Sequence, residues 1–217
     1  MHNQTACTNM VKQQLRTSGV LNESILALYD DIPRAAFVPQ AQACVAYSDL
    51  QIPLAHGQCM MTPVEEATLL QALALKGHER VLEVGTGSGF LTALLSRLCQ
   101  HLISIDYYAD FTDHARRLLQ QHACDNVELL TGNAAHGWVD SAPYDVIIFT
   151  GAVPVITETH RLQVLPHGQL FAVVGEAPIM QGQLHALSSQ DTWSQTVLFE
   201  TLLPPLLGST PSTTFVF

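Results

Sequence analysis

Apolar segments alternate with amphipathic segments along the chain from residue 80 onward. The apolar segments are continuous, which is typical of strands that are buried on both faces. The amphipathic segments between them predict helices that connect parallel strands. The sequence therefore predicts a doubly wound α/β fold, in which a mostly parallel, Rossmann-like sheet has helices on both faces. Strands are predicted at 81–84, 102–105, 127–130, 146–149 and 169–174, and helices at 91–98 and 111–121.

The two ends of the chain depart from this alternation. Segments 184–187 and 196–199 have no clear helix between them, and they predict an antiparallel edge of the sheet. Nearer the start, the predicted elements are helices: one at 9–16, one capped by Asn22, and one that begins with a capping box at 62–65. We interpret 1–78 as an N-terminal helical extension and 79–217 as the α/β core of a single domain.

A glycine-rich segment follows the first strand of the alternating region, and it reads Glu83-Val84-Gly85-Thr86-Gly87-Ser88-Gly89. Glycines let the backbone turn sharply and approach a ligand, and the helix start beyond them offers unpaired N–H groups to a nucleotide-like ligand. The spacing differs from the G-x-G-x-x-G of dinucleotide-binding proteins, which leaves an NAD-dependent oxidoreductase as the weaker alternative. With an acidic residue two positions before the first glycine, the segment resembles the first motif of class I S-adenosylmethionine-dependent methyltransferases.

Two further positions are candidates for binding the methyl donor. Asp106 ends the next predicted strand, 21 positions after Gly85, where a carboxylate can accept both ribose hydroxyls. Asn133 lies where the resemblance implies an adenine-binding residue, and its amide oxygen can accept from the adenine amino group. Each residue also has an ordinary interpretation, as a strand-end carboxylate and as a turn residue. The candidate donor-binding residues are Glu83, Gly85, Thr86, Gly87, Ser88, Gly89, Asp106, Asn133 and Ala134.

Strings distributed over nearly the whole chain narrow the resemblance to one family. They include MVKQQLRTSGV (10–20), IPRAAFVP (32–39), IPLAHGQ (52–58), VLEVGTGSGF (81–90) and PPLLG (204–208). Together they resemble the protein-L-isoaspartate O-methyltransferase family. The resemblance implies a cytoplasmic enzyme that transfers a methyl group from S-adenosylmethionine, releases S-adenosylhomocysteine, and acts on isoaspartyl carboxylates of damaged proteins or peptides as a step of protein repair.

The segment 56–63 departs from the acceptor loop of that family. The loop reads approximately HGQTISxP, with hydroxyl residues that hold the substrate carboxylate, whereas this chain has HGQCMMTP. Cys59 therefore replaces a threonine, and Met61 replaces a serine. A thioether cannot donate a hydrogen bond and a thiol donates only weakly, so these exchanges change how a carboxylate would be held.

Three interpretations of the exchanges stay open. Thr62 or backbone N–H groups could replace the lost contact, the acceptor could be a different and more apolar group, or the chain could bind S-adenosylmethionine without catalysis. A free Cys59 three residues after His56 also allows a nucleophile, although a buried cysteine is usually an apolar packing group. The candidate catalytic residues are His56, Cys59, Met61 and Thr62, with Val153 and Leu203 expected nearby.

Charge and cysteine content exclude several other classes. Lys and Arg number 9 against 19 Asp and Glu, and the net charge of −10 with scattered cations argues against nucleic-acid binding. The longest apolar stretch, 146–156, is too short to span a membrane. The first residues show no pattern of a secretory signal, which predicts a cytoplasmic location. Five widely spaced cysteines predict reduced thiols, and neither they nor the 10 histidines show metal-ligand spacing.

Overall fold

The computed structural model describes residues 2–209. Its elements in chain order are α1 (His2–Met10), which continues into a π-helical turn (Val11–Leu15), α2 (Glu23–Asp31), β1 (Ile52–Pro53), β2 (Cys59–Met60), α3 (Pro63–Leu73), β3 (Arg80–Val84), α4 (Phe90–Ser96), β4 (His101–Asp106), α5 (Ala109–Gln121), β5 (Val127–Thr131), β6 (Tyr144–Val153), α6 (Glu158–Arg161), β7 (Val164–Glu176), β8 (Ile179–Leu187) and β9 (Trp193–Thr201).

Strands β3 to β9 form one sheet within these residues, in the order β5-β4-β3-β6-β7-β8-β9. The pairs from β5 through β7 are parallel, and β8 and β9 add two antiparallel strands at one edge. Both the mostly parallel sheet and its antiparallel edge confirm the sequence prediction. The strand order reverses at β3, whose neighbours are β4 and β6, and a ligand cleft is expected at the carboxyl ends of strands at such a point.

Successive residues of each parallel strand belong to opposite faces of the sheet. Val81 joins the larger apolar cluster, which includes residues of α1 to α5, whereas Leu82 joins the smaller cluster on the other face. The helical cover of that second face is thinner than predicted, because the connection from β5 to β6 contains a 3-10 turn (Val139–Ser141) and no α-helix among the described residues. Gly132, Gly137 and Pro143 disfavour a helix in that connection.

The helix starts follow the local signals in the sequence. The Asn22 side chain accepts from the backbone N–H groups of Ser24 and Ile25, and Thr62 and Glu65 form the predicted capping box. The first helix, in contrast, begins at residue 2 rather than at 9. Its first half has little apolar periodicity, and tertiary packing favours it, since Cys7 is buried and its thiol donates to the carbonyl oxygen of Tyr29.

Candidate functional site

A cleft lies at the carboxyl ends of β3, β4 and β6, and its volume is about 840 Å³ when the space open to solvent is included. One side is formed by the glycine segment 85–88 and by residues 105–108 and 132–135. The opposite side is formed by Leu54, residues 58–61 and Glu66, which belong to the β1–β2 hairpin and to α3. A concave site with a mixed polar and apolar lining, placed where the strand order reverses, is typical of a small-molecule site.

The backbone of the glycine segment has a conformation that favours glycine. Gly85, Gly87 and Gly89 have φ angles of 103°, 51° and 82°, in the region that L side chains rarely adopt. Thr150 on the neighbouring β6 donates its hydroxyl to the carbonyl oxygen of Gly85 at 2.6 Å, and a Cβ on Gly85 would lie 2.2 Å from that hydroxyl oxygen. The Thr150 hydroxyl therefore occupies the space that a side chain at position 85 would need.

Asp106 lies at the end of β4 with its carboxylate on the cleft. The backbone N–H of Gly87 donates to Oδ2 and that of Tyr108 donates to Oδ1, each at 2.9 Å. Burial raises the pKa of Asp106, and these backbone hydrogen bonds oppose the rise. Both oxygens keep a further lone pair, so the fixed carboxylate can accept two hydroxyl groups of a ribose.

Glu83 lies beneath the glycine segment and does not line the cleft. The hydroxyls of Thr92 and Ser104 both donate to its Oε2 at 2.6 Å, and Thr86 donates in turn to Ser104 at 2.7 Å. Complete burial raises the pKa of Glu83 to about 7. The residue therefore supports the segment through a chain of hydroxyl groups rather than by contact with the cleft.

Of the remaining candidates for binding the methyl donor, some line the cleft and one serves the packing of helices beside it. Thr86, Ser88, Asn133 and Ala134 line the cleft. The Asn133 amide oxygen accepts from the backbone N–H of Ala135 at 3.0 Å. Asn133 is therefore both a turn residue and part of the cleft lining. Gly89 lies at the start of α4, where a Cβ would be 2.9 Å from the Cβ of Ala115, and it permits α4 to pack on α5.

Of the candidate residues for the methyl-acceptor site, two line the cleft and two lie outside its lining. Cys59 and Met61 line the cleft, whereas Thr62 lies outside its lining and caps α3, accepting from the backbone N–H of Glu65 at 3.2 Å. The His56 ring stacks on Tyr108 with 3.8 Å between ring centroids, and its Nε2 is 2.9 Å from a carboxylate oxygen of Asp110. His56 thus holds the tip of the β1–β2 hairpin against the start of α5.

The environment of Cys59 is that of a packing thiol. Its Sγ donates weakly to the side-chain oxygen of Gln51 at 3.8 Å, and burial raises its pKa to about 11. The His56 ring is engaged by Tyr108 and Asp110 instead. Because the thiolate is the nucleophilic form, this site does not activate Cys59 at neutral pH.

Several cleft residues were not predicted from the sequence. After β9 the chain passes back alongside β6. The N–H of Ala152 donates to the carbonyl oxygen of Pro204, and the N–H of Leu206 donates to the carbonyl oxygen of Ala152. These hydrogen bonds place Leu206 and Leu207 on the cleft. Val153 and Leu203, expected near the acceptor, are buried but do not line it. Glu66 is a buried carboxylate on the apolar face of α3, and that exception to the apolar pattern was the signal available in the sequence.

The described residues 2–209 contain neither a metal-binding group of three or more His, Cys, Asp or Glu side chains nor a helix with the length and apolar character needed to span a bilayer.

The family model for protein-L-isoaspartate(D-aspartate) O-methyltransferase (PCMT) matches residues 6–208. The chain belongs to this family. A protein-L-isoaspartate O-methyltransferase of Syntrophus aciditrophicus is 40% identical over 166 residues, or 76% of each chain. Protein-L-isoaspartate O-methyltransferase 2 of Pelobacter propionicus is 32% identical over 201 residues, which cover 92% of this chain and 89% of the relative.

Solved structures of PCMT proteins share the fold. One protein-L-isoaspartate O-methyltransferase superposes with a TM-score of 0.79 at 21% identity, over 95% of this chain and 66% of the solved chain. This chain therefore spans slightly less than two thirds of that protein. A Plasmodium falciparum chain described as a beta-aspartate methyltransferase (PCMT), in complex with S-adenosyl-L-homocysteine, superposes with a TM-score of 0.75 at 16% identity, over 94% and 97% of the two chains.

Proposed function

We propose that this chain transfers the methyl group of S-adenosylmethionine to the isoaspartyl carboxylate of damaged proteins or peptides. The observation that carries the proposal is a single cleft with two different sides. The glycine segment and Asp106 form a donor side, and the β1–β2 hairpin with Met61 forms an acceptor side. Membership of the PCMT family supports the same reaction.

The donor side fits S-adenosylmethionine. The backbone turn at Gly85, which Thr150 fixes, lies on the cleft, and the amino-acid part of the donor would lie against it. Asp106 would accept the ribose hydroxyls, and Asn133, which follows β5 and lines the cleft, would bind the adenine. When bound, S-adenosylmethionine supplies an electrophilic methyl group on a sulfonium.

The protein's part in the reaction is alignment and partial removal of water. An isoaspartyl carboxylate is ionised at pH 7, so the acceptor needs no general base. The hairpin, held by the contacts of His56 with Tyr108 and Asp110, covers the cleft and restricts the approach of the carboxylate to the methyl group. The isoaspartyl carboxylate is itself the nucleophile that attacks the methyl carbon as the carbon–sulfur bond breaks, so no side chain of the protein has to act as one.

The acceptor side favours a second candidate, which is methyl transfer to a different group. Cys59, Met60 and Met61 present thiol and thioether groups to the cleft, and Thr62 lies outside its lining. The hydroxyl donors that the family pattern uses for a carboxylate are therefore replaced by apolar surface.

The proposal is tested by calorimetric titration of the full chain with S-adenosylhomocysteine, followed by radiolabelled methyl transfer to an isoaspartyl peptide and to its aspartyl control. Binding with transfer to the isoaspartyl peptide alone is the expected result. Binding without transfer would refute the isoaspartyl acceptor and keep the methyl donor. Absence of binding would refute the methyltransferase itself.

A cytoplasmic location is part of the proposal. Its support is that all five cysteines, at positions 7, 44, 59, 99 and 124, are free thiols, as is usual in a reducing compartment.

A further inference from the structure

Glu66 is a buried carboxylate on the acceptor side of the cleft. It lies in α3 close to Met60 and Met61 in the lining, and it is 2% exposed. Its Oε2 accepts a hydrogen bond from Nη1 of Arg34 in an ion pair that is buried on both sides. No side chain or backbone group of residues 2–209 donates to Oε1. Oε1 is therefore the carboxylate oxygen available to a molecule in the cleft.

Arg34 fixes this carboxylate relative to the acceptor hairpin. Its guanidinium is completely buried, and Nη2 donates to the carbonyl oxygen of Met61 at 2.7 Å. The same group lies 4.9 Å from the centre of the Phe90 ring, which adds a cation–π contact. One cation thus holds both Glu66 and the chain at Met61, and neither can move without breaking a buried charge-assisted hydrogen bond.

The chemistry of this corner of the cleft suits a neutral acceptor better than an anionic one. Cys59, Met60 and Met61 offer no strong side-chain donor to a carboxylate, and Glu66 repels one when it is ionised. A hydroxyl group, in contrast, can donate to Oε1 while an apolar body packs against the thioethers and the ring of Phe111.

We infer that the cleft also takes a neutral hydroxyl acceptor on an apolar body, of which a phenol is the simplest case, and that Oε1 of Glu66 is its general base. This inference goes beyond isoaspartyl methylation and requires only that the chain bind the methyl donor.

The step balances without another reactant. The phenol oxygen forms a bond to the methyl carbon as the carbon–sulfur bond breaks, the phenolic proton passes to Oε1, and the products are an aryl methyl ether and S-adenosylhomocysteine. Burial raises the pKa of the Glu66 carboxyl and Arg34 opposes the rise. Glu65 and Glu83, the other charged neighbours, also raise the pKa of Glu66. The pKa of the base is thereby closer to that of a phenol, which is about 10.

The test compares two phenols with radiolabelled S-adenosylmethionine at pH 8. A proton must be removed from 4-methylphenol, whereas 4-nitrophenol is largely ionised already. We expect the wild-type chain to methylate both, and Glu66→Gln to lower kcat/KM for 4-methylphenol by about 100-fold or more while changing that for 4-nitrophenol by less than about threefold. Glu128→Gln, on an exposed position of β5, is the matched control and should leave both rates unchanged.

Two results would overturn the inference. One is a wild-type chain that binds S-adenosylhomocysteine yet methylates neither phenol. The other is an equal loss with both phenols in a Glu66→Gln chain that still binds S-adenosylhomocysteine. If Glu66→Gln fails to fold because Arg34 is left unpaired, the double variant Arg34→Met with Glu66→Leu removes both charges, and the same selective loss is expected of it. The isoaspartyl peptide, assayed in parallel, reports separately on the proposed function.

Discussion

The hydroxyl of Thr150 donates to the carbonyl oxygen of Gly85 at 2.6 Å, and the Thr150 hydroxyl oxygen occupies the space in which a Cβ on Gly85 would lie. The contact joins the ends of two adjacent parallel strands, β3 and β6. It fixes the first turn of the glycine segment, so the fold itself holds the conformation that we propose for donor binding. Such preorganisation lowers the conformational entropy lost on binding.

Gly85→Ala is expected to abolish most donor binding. The new Cβ would lie 2.2 Å from the Thr150 hydroxyl oxygen, on a backbone with φ of 103°. We expect the Kd for S-adenosylhomocysteine, measured by calorimetry, to rise by about 10-fold or more, with a loss of stability of about 1–3 kcal/mol. Gly77→Ala is the matched control, because its φ is 91° and no atom lies within 4 Å of its Cβ. Equal effects of the two variants on Kd would contradict the close-approach argument.

Asp106→Ala is expected to weaken donor binding through the ribose. Its carboxylate orients the backbone N–H groups of Gly87 and Tyr108, and it would accept the two ribose hydroxyls. Loss of these hydrogen bonds corresponds to about 1.5–3 kcal/mol, or a rise in Kd of about 10- to 100-fold. Asp113→Ala, on an exposed position of α5, should leave the Kd unchanged. An unchanged Kd for Asp106→Ala would show that the ribose assignment is wrong.

Met61→Ser is expected to raise isoaspartyl methylation. The side chain lines the cleft, and a serine there restores the hydroxyl of the family pattern. We expect kcat/KM for an isoaspartyl peptide to rise by about 10-fold, since one hydrogen bond to a charged group contributes about 1.5 kcal/mol. Met60→Ser places the same group one residue earlier and should give no gain. If Met61→Ser also gives none, the missing hydroxyl does not limit this reaction.

Glu83→Gln is expected to remove a pH-dependent loss of stability. The folded pKa of about 7 lies above the unfolded value of 4.5, so the folded chain binds more protons between these values and its stability falls as pH rises through them. Glutamine keeps an oxygen for Thr92 and Ser104 and does not titrate. Thermal unfolding should show the variant close to wild type at pH 5 and more stable, by on the order of 2 kcal/mol, at pH 8. A difference that is constant with pH would contradict the raised pKa.

The local signals of the sequence predicted much of the fold and part of the cleft. The strands, the Asn22 cap and the capping box at Thr62 depend on residues close together in the chain, and all were confirmed. The same holds for the edge hairpin of β8 and β9. The helix predicted at 9–16 instead begins at residue 2, because contacts with α2 stabilise a segment with weak periodicity of its own.

The sequence by itself determined that a glycine segment and Asp106 would lie at the carboxyl ends of parallel strands, because strand, turn and helix signals are local. Only the tertiary structure decided which side chains meet across the cleft. It brought Leu206 back from the later part of the chain, placed Glu66 in the same cleft as the glycine segment, and buried Glu83 beneath that segment. These positions depend on the order of strands and on the packing of α3, and neither leaves a periodic pattern near the residues concerned.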